Sequence, residues 1–115
     1  MVIDPSVLAA IARELGEDAP AVLDGFLADF RSETPVQLEQ IARATDPQAQ
    51  AKAVHRLRGS ALNLGAVELV RITTDAERIT TAGTVLSQQQ LQAIVGALSS
   101  TVAEMDRRWG TGWQP

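Results

Sequence analysis

Cysteine and tyrosine are absent from this 115-residue chain, and histidine occurs once. Without cysteine there is no disulfide scaffold and no thiolate metal site. A single imidazole argues against zinc, which usually takes several such ligands, and no acidic cluster marks a Mg²⁺ site. Aromatic residues make up 3% of the chain, too few for the period-two pattern of a β sandwich. No apolar run reaches the roughly 18 residues of a membrane span, and no basic–apolar signal segment opens the chain. The formal charge is −4. There is no basic stripe to neutralise nucleic-acid phosphates or to bind an anionic membrane. No P-loop and no kinase glycine-rich loop is present, so productive ATP binding is not expected.

What remains is a hydrophobic fraction of 45%, built mostly of Ala, Leu, Val and Ile. That fraction can form one core, and the length suits one domain. The good helix formers Ala, Leu, Gln, Glu and Arg tilt the chain towards an all-α fold. Punctuation divides it into five helical segments. Asp4-Pro5 opens the first, with Asp4 as N-cap and Pro5 at the first helical position, and Gly16 closes it. The second begins near Asp18-Ala19-Pro20 and carries Leu23, Phe26, Leu27, Phe30, Leu38 and Ile41 on one face. Pro35 lies inside that span, but the apolar period resumes in phase after it, so one kinked helix is expected. Asp46-Pro47 opens a third helix that Gly65 stops. A fourth is expected from about Val67 to Ala82, with Leu69, Ile72, Ala76 and Ile79 inward. Ser87 caps the fifth, which carries Leu91, Ile94, Val95, Leu98, Val102 and Met105. Such helices with short loops bury best as an antiparallel up-and-down four-helix bundle with a short additional N-terminal helix. The bundle is expected over residues 1–109, with a flexible tail over 110–115 and Trp109 and Trp113 left unplaced. A cytoplasmic monomer is the expected form, and Met1 and the free tail suit a standalone protein.

The lone histidine stands on the third helix. Val54, Leu57, Ala61 and Leu64 fall within a sector of roughly 80° on its wheel, and His55 falls roughly 140° from their centre. His55 is therefore expected in solvent, where a plain surface histidine is the competing reading. Two neighbours favour a role. Arg58 at i+3 supplies a fixed cation with a fork of donors suited to a phosphoryl group. Gly59 at i+4 costs about 1 kcal/mol relative to alanine inside a helix, and the absent side chain gives clearance above the ring. Leu62, one turn further on the same side, offers a small apolar docking spot.

The run Ala53-Val54-His55-Arg56-Leu57-Arg58-Gly59-Ser60-Ala61-Leu62-Asn63-Leu64-Gly65-Ala66 resembles the signature of histidine-containing phosphotransfer (HPt) domains. The helical layout and the length are similar as well. Arg58 stands where that family most often has Lys, and Val54 where it often has Ala. The resemblance implies that His55 is the phosphoacceptor, supported by Arg58, Gly59 and Glu77. Glu77 lies about 22 residues after the histidine, where many members have Gln. Periodicity alone would leave Glu77 an ordinary surface carboxylate, with Arg78 or Arg58 as its candidate partner. The resemblance further implies a phosphorelay intermediate with no cofactor of its own. Its partners would be receiver domains of response regulators and hybrid histidine kinases, with Mg²⁺ carried only by the receiver. The alternative is an adaptor that docks a receiver or kinase without accepting phosphoryl. A purely structural bundle leaves Gly59 unexplained. A kinase dimerisation domain would more usually have an acidic residue after the histidine, where Arg56 stands.

Overall fold

The computed structural model describes all residues from Met1 to Pro115 and is entirely helical and irregular, with no strand. Helix α1 spans Pro5–Leu15, α2 Ala19–Arg43, α3 Pro47–Leu64, α4 Val67–Thr81 and α5 Gln88–Trp109. A 3₁₀ turn at Gly16–Asp18 leads from α1 into α2.

The helix starts follow from side chains that satisfy the otherwise unpaired first N–H groups. Asp4 accepts from the Ser6 amide at 3.0 Å and from its hydroxyl at 2.7 Å. These two bonds, the hydroxyl first, hold the Asp4 carboxyl below its usual range. Asp46 caps α3 through the Ala49 amide at 3.1 Å. Ser87 and Gln90 form a reciprocal capping box on α5. Helix α2 begins without a side-chain cap, because the 3₁₀ turn delivers the chain already coiled. It runs unbroken through Pro35. Pro35 and Arg31 both lie on the exposed side, so the Arg31 carbonyl that loses its helical donor faces water.

Packing runs α2 on α3, α3 on α4, α4 on α5 and α5 back on α2, a closed four-helix ring with α1 laid across α2 and α3. The body measures 45 × 23 × 22 Å. Val54, Leu57, Ala61 and Leu64 of α3 are completely buried, as their spacing predicts. No helix is long and apolar enough to cross a membrane.

Three features depart from the apolar pattern. On α4 the buried stripe is Leu69, Thr73, Ala76 and Thr80, while Ile72 and Ile79 are only half-buried. The threonine hydroxyls donate to the Leu69 and Ala76 carbonyls, so burying them leaves nothing unpaired. Thr34 and Thr101 solve the same problem in α2 and α5. Second, Gln50 is buried. Its amide donates to the Ile41 carbonyl at 2.9 Å and accepts from the Leu86 amide at 2.7 Å, pinning the end of α2 to the loop before α5. Third, residues 110–115, expected to be flexible, carry contacts to the bundle. Trp109 is buried and its indole N–H donates to the Gln114 carbonyl at 3.2 Å. Trp113 packs half-buried on the core, and its amide donates to Asp24 at 2.6 Å.

Candidate functional site

The threonines of α4 decide where its outer residues point. Moving the buried stripe from the isoleucines to Thr73 and Thr80 turns the helix by roughly 50° towards Glu77 on the wheel. Glu77 thereby flanks α3 instead of facing bulk water, and its side chain is 28% exposed.

His55 stands opposite, 66% exposed, with Nδ1 3.0 Å from one Glu77 oxygen and 3.2 Å from the other. With the proton on Nδ1, the ring donates to the carboxylate and leaves the Nε2 lone pair free. Arg58 completes the group. Its Nε–H donates to the Thr74 hydroxyl at 3.0 Å, and its Nη1 lies 3.9 Å from Glu77. Arg78, the other candidate partner of Glu77, instead pairs with Asp75 at 3.0 Å. The carboxylate therefore serves His55 and Arg58 together.

A Cβ at Gly59 would meet no atom within 4 Å. Tight helix packing is therefore not the reason for that glycine. Leu62 is 46% exposed, one turn further along α3. The arrangement is an oriented, accessible imidazole with a carboxylate behind one nitrogen, a cation alongside and open space above. An imidazole so held can act as a nucleophile through Nε2. No three His, Cys, Asp or Glu side chains converge as a metal-binding group.

The profile of the Hpt domain family matches residues 25–107. The chain belongs to the Hpt domain family. No curated protein and no solved structure is significantly similar to it. The Hpt family carries histidine phosphotransfer in two-component signalling. Its members are phosphocarriers without ATP sites and interact with receiver domains. In this Hpt bundle, His55, Arg58, Gly59 and Glu77 lie together, with Leu62 at the margin. Thr74 carries no signal of its own in the sequence beyond preceding Glu77 by three residues, which puts the two on one helix face.

Proposed function

We propose that this chain is a phosphocarrier that accepts a phosphoryl group on Nε2 of His55. It passes that group between receiver aspartates, or from a hybrid histidine kinase to a response regulator. The observation carrying this reading is the exposed His55 ring with Nδ1 3.0 Å from Glu77.

In the forward step the Nε2 lone pair attacks the phosphorus of a receiver aspartyl phosphate. The N–P bond forms, the P–O bond to the aspartate breaks, and its electron pair returns to the receiver carboxylate. The Nδ1 proton stays on the ring, which becomes cationic. Glu77 stabilises that cation and keeps Nε2 as the reacting atom. Arg58 offsets phosphoryl charge. The reverse sequence delivers the group to the next receiver. Mg²⁺ is the receiver's contribution, and the chain needs no cofactor of its own. Transfer of label from a panel of phosphorylated receivers tests the reading.

Two substitutions probe the surface around the ring. Gly59→Ala fills empty space and gains helix propensity, so it raises stability by about 1 kcal/mol in urea unfolding. The same methyl obstructs a receiver closing over His55, so the transfer rate falls. A variant that gains stability and transfers at the wild-type rate removes the clearance argument. Leu62→Asp places a charge at the margin of the docking surface. Receiver binding should weaken about tenfold, or ~1.4 kcal/mol, with unfolding little changed. Unaltered binding and transfer would exclude Leu62 from the interface.

A further inference from the structure

Two contacts cross between α3 and α4 on the His55 side. His55 meets Glu77, and Arg58 meets Thr74. Moving three residues forward on α3 and three back on α4 leads from the first pair to the second. They are successive rungs of one antiparallel ladder, so the packing that sets one also sets the other. Glu77 links them, since Arg58 Nη1 lies 3.9 Å from the carboxylate that faces His55.

Arginine is a long side chain that sweeps many rotamers in water. In this chain it is 31% exposed and held at Nε. A lysine has no nitrogen at that position, and its ammonium would reach the site as a point charge on a free stem. An arginine here gains from an anchor, and the Thr74 hydroxyl is that anchor. With Nε engaged by Thr74 and Nη1 facing Glu77, the Nη2 edge of the guanidinium is left for phosphoryl oxygens.

The geometry points to Thr74 as a positioning residue: its hydroxyl holds Arg58 beside Glu77, so that the guanidinium is prepaid in entropy for the phosphoryl group on His55. This inference rests on the reading of His55 as phosphoacceptor. Thr74 touches neither the ring nor the phosphoryl group and acts only through Arg58.

The test uses phosphoramidate as donor, so that no partner protein enters. The Nε2–P bond forms, the P–N bond of the donor breaks, and ammonia leaves. The readouts are the rate of phosphohistidine formation and the midpoint of its phosphoryl titration, followed by ³¹P NMR. A cation near the phosphoryl group favours the dianion and lowers that midpoint. Thr74→Val should slow formation about threefold to tenfold, the worth of one hydrogen bond, and move the midpoint upward. Thr74→Ser should restore both. In an Arg58→Ala background, Thr74→Val should add nothing. A wild-type rate and midpoint in Thr74→Val would overturn the assignment, as would an equal loss in the Arg58→Ala background. If the wild-type chain forms no phosphohistidine, the carrier reading falls and this inference with it. Label on wild type with an indifferent Thr74→Val defeats this inference alone.

Discussion

His55→Gln is expected to abolish the proposed phosphoryl acceptance while leaving the fold intact. The residue is two-thirds exposed, so its replacement opens no cavity and should change unfolding by no more than about 0.5 kcal/mol. Glutamine can still donate an amide N–H towards Glu77. It lacks a nucleophilic ring nitrogen, so no N–P bond can form. Incubation with a phosphorylated receiver should label the wild-type chain in an acid-labile, alkali-stable form, as a P–N bond requires, and should leave His55→Gln blank. Label on the variant would place the acceptor elsewhere. No label on wild type across a receiver panel, with binding intact, would make the chain an adaptor. This is the largest functional effect expected of any single substitution, because it removes the proposed reacting atom instead of weakening a contact.

A large effect on stability is expected at Gly65→Ala, the residue that caps the C-terminus of α3 ten positions after His55. Gly65 ends α3 with φ 81°, in the left-handed region. Its amide bonds back to Ala61, and the Ala66 amide reaches the same carbonyl. Any residue with a Cβ pays about 1 kcal/mol for that backbone conformation. The methyl would also lie 2.8 Å from the Asp4 carbonyl oxygen and 2.8 Å from Val7 Cγ2. A backbone carbonyl cannot swing aside as a flexible side chain can. The Asp4 amide is itself bonded to the Gly65 carbonyl at 2.8 Å, so α1 must shift on α3 to make room. Overpacking of this kind costs about 1–3 kcal/mol. The sum is about 2–4 kcal/mol, which should lower the thermal midpoint by roughly 10 °C or more. An unchanged midpoint would mean that α1 is not seated on Gly65 in solution.

Gly59 and Gly65 receive the same substitution with opposite expected signs. Both belong to the run that resembles the family signature, and in the sequence both are glycines near the end of one helix. Gly65 could be recognised as a stop, because the next helical period begins only at Val67. The reach of α1 across it could not, because Asp4 and Val7 are distant along the chain. The same distinction runs through the site. The outward direction of His55 follows from the spacing of Val54, Leu57, Ala61 and Leu64, a property of one helix. Glu77 came from the family resemblance, since an apolar count on α4 favours the isoleucines and leaves Glu77 adrift. The buried Thr73 and Thr80 correct that count. A threonine can be buried cheaply when its hydroxyl bonds a carbonyl one turn back, and no hydropathy pattern anticipates it. Thr74 and Gln50 are not legible in the sequence for a related reason, because a polar residue announces burial or contact only through its partner.

The sequence by itself determined the helices, their limits, and the face of α3 from which His55 projects. Those depend on caps, prolines, glycines and a 3.6-residue period, all of which act within one or two turns. The tertiary structure set Glu77, which only the family resemblance had implied, 3.0 Å from His55, and it alone decided that Thr74 holds Arg58 and that there is room for a methyl at Gly59 and none at Gly65. Each of these depends on the rotation and register of one helix against another. Side chains of two distant segments set that register jointly, so no local reading of either segment contains it.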